Sequence, residues 1–79
     1  MEIILVPTGL IKREYFKDLK SDRIKLQIKK GLTVKELINL IGISKGFISL
    51  IGINNVASDL NKLIKDKDIM KLFPPVGGG

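Results

Sequence analysis

Cysteine, histidine and tryptophan do not occur in these 79 residues. Their absence excludes disulfide staples, thiolate nucleophiles, imidazole acid–base chemistry and any metal site built on Cys or His. A self-contained enzyme is not expected from what is left. Aromatic side chains are scarce, only Tyr15, Phe16, Phe47 and Phe73. No stacking platform for nucleic-acid bases is interleaved with the basic residues, so nucleic acid is not the expected partner. Long apolar runs are missing too. The longest nearly charge-free segment, Leu37 to Ser58, is interrupted by Asn39, Lys45, Asn54, Asn55 and several glycines. It reads as core rather than as a membrane span. The chain opens Met1-Glu2-Ile3, with an acid where a signal peptide carries bases, and the apolar stretch Ile3 to Val6 is short; the expected location is cytoplasmic.

Aliphatic residues are plentiful, thirteen of them isoleucine. A chain this short buries only roughly 60–65% of its unfolded surface, so a single domain without staples depends on dense aliphatic packing. The net charge is +6, and +5 of it falls between Lys12 and Lys30. Such a stretch is an electrostatic footprint for nucleic acid or for an acidic partner, or is simply a solvated face, the reading favoured when twelve of the fourteen bases are lysine.

Hydropathy patterning orders the chain. Glu2 to Pro7 is a continuous aliphatic run, expected as a strand inside a sheet and buried on both faces. Residues 10 to 20 mix charge with Leu10, Ile11, Tyr15, Phe16 and Leu19, a pattern shared by a loop, one helical turn and a strand extension. Arg23 to Lys29 alternates strictly, with Ile24, Leu26 and Ile28 on one face, as a half-exposed strand near the sheet edge does. Thr33-Val34-Lys35-Glu36 has the form of a capping box. Val34, Leu37, Ile38 and Ile41 follow at helical spacing, and Gly42 stands where a left-handed terminator costs least. Phe47 to Ile53 predicts a strand and Asn54-Asn55 a turn. Ser58 to Lys65 predicts an irregular connection, Asp66-Lys67-Asp68 a tight turn, and Ile69 to Phe73 the last strand. The carboxylates of Asp66 and Asp68 lack the glycine and the bidentate Glu of a calcium loop, so no metal is expected there. Strand, strand, helix, strand and strand in this order predict an α+β fold, a β-grasp mixed sheet with one main covering helix.

Past Phe73 the character changes to Pro74-Pro75-Val76-Gly77-Gly78-Gly79. Two prolines cannot continue a ladder and favour an extended exit, and glycine carries no Cβ. The expected organisation is a domain over 1–73 and an extended flexible tail over 74–79. Six extended residues reach at most about 20 Å, enough to enter another protein's active site. The group such a tail would deliver is the carboxylate of Gly79, with no side chain to obstruct its attack or activation.

Leu72-Phe73-Pro74-Pro75-Val76-Gly77-Gly78-Gly79 resembles the F-P-P-V-x-G-G ending of the small subunit of molybdopterin synthase. These MoaD-type sulfur carriers share the β-grasp fold with the thiamine-pathway carriers of the ThiS type and with ubiquitin. Ile53-Asn54-Asn55 resembles the family's V-N-x element, and Leu63 to Asp68 resembles its L-x-D-G-D turn, with Lys67 where relatives carry Gly. If that position keeps a positive φ, Lys costs on the order of 1 kcal/mol relative to Gly. The resemblance covers about the last third of the chain.

It implies a carrier rather than an enzyme, with no cofactor of its own. A partner related to ubiquitin-activating enzymes would use ATP and magnesium to adenylate Gly79, and a sulfur donor would convert the adenylate to a thiocarboxylate. Docked on the large subunit of molybdopterin synthase, the tail would then supply sulfur to the pterin that becomes the molybdenum or tungsten cofactor. Gly77 and Gly78 would give clearance, Pro74 and Pro75 would aim the tail, and Phe73 with Val76 would contact the partner. For Phe73 the alternative is a core-facing end of the last strand. Three other functions stay open: a thiazole-pathway carrier, a protein modifier acting through Gly79, and a basic binding module acting through residues 12 to 30.

Overall fold

The aliphatic run at the N-terminus forms strand β1, Glu2–Pro7, which has a neighbour on each side. The computed structural model describes residues 1–76. β2, Ile24–Gln27, lies antiparallel to β1, and β5, Ile69–Phe73, lies parallel to it on the other side. β3, Leu50–Ile53, pairs antiparallel with β5 and then with β4, Val56–Ser58. The sheet therefore runs β2-β1-β5-β3-β4, with the last strand of the chain at its centre. This is the expected β-grasp arrangement.

Helix α2, Val34–Ile41, begins and ends where the sequence says it should. The Thr33 hydroxyl accepts from the Glu36 amide at 3.2 Å, and Glu36 Oε1 accepts from the Thr33 amide at 3.1 Å. Gly42 closes the helix at φ 89°. Two further amides of the first turn are satisfied from far along the chain: Val34 donates to the Lys62 carbonyl at 3.0 Å and Lys35 to that of Leu60 at 2.9 Å. The irregular 58–65 connection is thus held by the helix end it crosses.

Val34, Leu37 and Ile38 bury against Ile3, Leu5, Ile51, Ile53, Met70 and Leu72 in one core on one face of the sheet. Each fully buried aliphatic side chain contributes about 1.5–3 kcal/mol, which is how a staple-free domain of this size holds together. β1 departs from the expectation of burial on both faces. Ile3 and Leu5 are fully buried on the helix-covered side; on the opposite side Val6 is buried as expected and only Ile4 is half-buried, so the departure is confined to the start of the strand.

Three more elements differ from the sequence reading. Residues Gly9–Tyr15 form a short helix, α1, anchored by the fully buried Ile11. The predicted strand from Phe47 starts only at Leu50; Lys45–Phe47 is a 3-10 turn, and Phe47 packs edge-on against Tyr15 at 5.1 Å. Val56–Ser58 pairs as a fifth strand. The Asn54-Asn55 turn between β3 and β4 has φ of 52° and 69°, and Lys67 has φ of 70°. Lys67 thus has the positive φ that the resemblance to an L-x-D-G-D turn implied.

Candidate functional site at the root of the tail

β5 carries the chain into its tail, and its end is fixed from both sides. Thr8, just past β1, places two donors on the Leu72 carbonyl: its amide at 3.2 Å and its hydroxyl at 2.8 Å. From the other side the Ser49 amide donates to the Phe73 carbonyl at 2.8 Å. Beyond Phe73 the prolines offer no N–H, so the ladder stops there.

Pro74 is half-buried against Gly9, the first residue of α1. A Cβ built on Gly9 would stand 2.9 Å from Pro74 Cγ, and Gly9 has a φ of +54°. Only glycine meets both conditions without strain. Pro75 is exposed, and Val76 is 93% exposed. The predicted reactive and clearance residues Gly79, Gly78 and Gly77 lie outside the described residues.

Phe73 does not belong to the core. Met70 and Leu72 point to the helix-covered face, and Ile69, Lys71 and Phe73 to the open one. There the Phe73 ring lies against Gly52, with Cε2 4.0 Å from where a Cβ would stand. It lines a shallow depression of about 250 Å³ together with Leu50, Ala57 and Lys71. Leu50 and Ile69 are also exposed on this face, by 48% and 38%. An apolar surface thus adjoins the root of the tail.

A larger hollow of about 620 Å³ flanks the same root, lined by Val6, Gly9, Lys12, Arg23, Lys71 and Phe73 among others. Lys12 pairs with Asp22 at 3.2 Å, whereas Arg23 and Lys71 take part in no ion pair among the described residues. The hollow is cationic. The carboxylates of the 66–68 turn are engaged with the protein itself: Asp66 accepts from the Glu2 amide, and Asp68 from the Lys65 amide and Asn54 Nδ2. No three of the carboxylates among the described residues gather into a metal-sized cluster. No described helix is long and apolar enough to cross a membrane.

The chemistry such a site can perform is presentation. A clamped root carries the chain to the exposed Pro75 and Val76 between an apolar patch and a cationic hollow. A family model settles the relationship: that of the ThiS family matches residues 14–79. The chain belongs to the ThiS family. The match runs through α2, strands β2 to β5 and the glycine tail, and begins after β1.

Among solved structures, a putative molybdopterin converting factor subunit 1 from Pyrococcus furiosus superposes with a TM-score of 0.74 at 18% identity, covering 96% of this chain and 99% of that one. The small archaeal modifier protein 1 of Haloferax volcanii gives 0.73 at 16% identity, covering 95% and 98%. A complex of subunits 1 and 2 of the molybdopterin-converting factor from Helicobacter pylori gives 0.61 at 25% identity, covering all of both chains. A search of curated protein sequences finds no match. These likenesses agree on the ubiquitin-like fold of this ThiS-family chain.

Sequence reasoning named Phe73, Pro74 and Pro75 but missed Thr8, Gly9 and Ser49, the residues that hold them. The signal available was Pro7-Thr8-Gly9 at the end of an interior strand, where a residue that tolerates positive φ often marks a close approach.

Proposed function

We propose that this ThiS-family protein is a sulfur carrier for molybdopterin synthesis, with residues 74–79 as its delivering arm. The observation that supports this best is the fixed root. Thr8, Ser49 and Gly9 hold Leu72, Phe73 and Pro74 in one direction, beside the apolar patch of Leu50, Ile69 and Phe73. An arm aimed by a rigid base delivers its end to a second active site with less orientational entropy to lose.

An activating partner related to ubiquitin-activating enzymes binds ATP with magnesium. A Gly79 carboxylate oxygen attacks the α-phosphorus, and pyrophosphate leaves. Sulfide from a sulfur donor then attacks the acyl carbon, and AMP departs with the former carboxylate oxygen, leaving a thiocarboxylate. Gly77 and Gly78 keep this carbon accessible. The large synthase subunit next docks on the open sheet face, with Phe73 and Val76 as contacts. The thiocarboxylate sulfur bonds to the pterin precursor, and water then cleaves the bond between the acyl carbon and sulfur, leaving the sulfur on the pterin and Gly79 again a carboxylate. The Helicobacter pylori complex of subunits 1 and 2 supports a partner of that kind.

The test is intact mass spectrometry after incubation with the cognate activating enzyme, ATP and sulfide. A gain of about 16 Da, one oxygen replaced by sulfur, is expected. No gain under conditions that thiolate a control carrier overturns the reading. Supplying the large synthase subunit and pterin precursor then returns the mass to its starting value. Failure at that second step, with thiolation intact, assigns the sulfur to a thiazole acceptor instead. Isopeptide conjugates on lysines of other proteins mark a modifier, a function carried in the name of the Haloferax volcanii neighbour.

A further inference from the structure

β2 is the terminal strand of the sheet and no described element pairs with its outer edge. Which of its amides face outward follows from the ladder. Met1 and Ile28 exchange both bonds, the Met1 amino group to the Ile28 carbonyl at 2.7 Å and the Ile28 amide to the Met1 carbonyl at 2.8 Å. Antiparallel pairs alternate between bonded and non-bonded, so Ile3 with Leu26 and Leu5 with Ile24 are bonded pairs. The N–H and C=O groups of Lys25 and Gln27 therefore point away from β1, toward open edge.

The two faces of this edge differ in chemistry. Lys25 stands opposite Ile4 on the open sheet face, and Arg23 lines the hollow beside Val6 on that same face. Ile24, Leu26 and Ile28 alternate with them toward the core side and remain half-exposed, since the edge has no further strand to cover them. Lys17, Lys20, Lys29 and Lys30 are exposed to either side of the strand. Two acids flanking the strand are already engaged, Asp22 with Lys12 and Glu2 with Lys67, while Glu14 and Asp18 are exposed and form no ion pair among the described residues.

We propose that the β2 edge is a docking site for an extended acidic segment of a partner protein, one whose sequence alternates apolar and acidic residues. Added as a sixth strand, its backbone pairs with Lys25 and Gln27. Its apolar side chains extend the strip of Ile24, Leu26 and Ile28, and its carboxylates face Arg23 and Lys25. Edge lysines repel a second copy of the same strand, so the occupant is not another copy of this chain. The same charges attract an acidic strand, and main-chain pairing with alternate side-chain pockets is a general recognition mode. This site lies at the opposite side of β1 from the tail-bearing strand; it shares Arg23 with the hollow at the tail's root and needs no chemistry at Gly79.

The experiment uses the full ¹⁵N-labelled chain and an eight-residue peptide alternating Ile or Val with Asp or Glu. Expected are amide shifts concentrated over residues 23–29, slowed hydrogen exchange at Lys25 and Gln27, and affinity that falls with salt. Lys25→Glu is expected to weaken binding about tenfold. A peptide of identical composition, with its acids and apolar residues in separate blocks, is expected to bind at least about tenfold more weakly, because no strand can sort it onto two faces. N-methylation of the alternate peptide amides that face β2 abolishes binding without changing the protein or any charge. Equal binding of the blocked peptide, indifference to N-methylation in both alternate registers, shifts centred on Lys71 and Phe73, or no binding at all each overturns the proposal.

Discussion

Asn54 Nδ2 donates to Asp68 Oδ1 at 2.9 Å, while Asn54 Oδ1 accepts from the Ile69 amide, also at 2.9 Å. One side chain thus joins the β3–β4 turn to the start of β5, the strand that becomes the tail. Asp68 is only 7% exposed and its other oxygen accepts from the Lys65 amide. Asn54→Ala leaves that carboxylate a partner short and puts Ala at a φ of 52°. We expect a loss of about 2–3 kcal/mol in urea unfolding, and Asn54→Gly to recover about 1 kcal/mol of it by removing the backbone strain. Equal losses for the two variants would contradict this division.

Lys67 tests backbone strain alone. Its φ is 70°, and its ammonium, on a side chain 71% exposed, meets Glu2 at 3.3 Å. An ion pair that exposed is worth little. Lys67→Gly is therefore expected to raise stability by about 0.5–1 kcal/mol, read as a higher urea midpoint with an unchanged slope.

The Gly9–Pro74 contact predicts coupling between two residues 65 apart in sequence. Gly9→Ala meets both a left-handed φ and the proline ring, and is expected to cost about 1–3 kcal/mol and to slow thiocarboxylate formation. Adding Pro74→Ala removes the obstacle, so the double variant should lose less than the sum of the singles. A double-mutant cycle on stability and on mass-shift rate measures this; strict additivity would mean that the contact does not steer the tail.

Deleting Gly78 and Gly79 separates fold from chemistry. Urea unfolding of the shortened chain is expected to match the full chain within about 0.5 kcal/mol, because the core and the bonds that fix Leu72 and Phe73 all lie within residues 1–76. The gain in mass disappears completely. A shortened chain that still acquires sulfur would place the reactive group elsewhere.

Elements with a local cause were legible in the sequence. The capping box at Thr33, the αL residue at Gly42 and the alternation around Ile24 each carry their own physics, and the structure places all three as read. What stayed hidden depends on distant partners. α1 has seven residues and no side-chain cap, so nothing nearby declares it; Ile11 reaching the core and Pro74 resting on Gly9 set its position. β4 buries none of its three residues and is a strand only because β3 lies beside it. Phe47 reads as β-forming by composition, yet its ring packs against Tyr15, and that contact turns the chain before Leu50. At the site the same division holds. Phe73 to Val76 announce themselves by composition, whereas Thr8, Gly9 and Ser49 become visible only when β1 and β5 lie side by side.

The place of β5 between β1 and β3 has a consequence for biosynthesis. Until residue 73 clears the ribosome, β1 and β3 have no common neighbour and the hydrophobic interior stays open to water. A prematurely terminated chain that stops before this strand is left as protease substrate, not as a stable decoy. Quality control of the polypeptide is thereby tied to completion of the very segment from which the arm emerges.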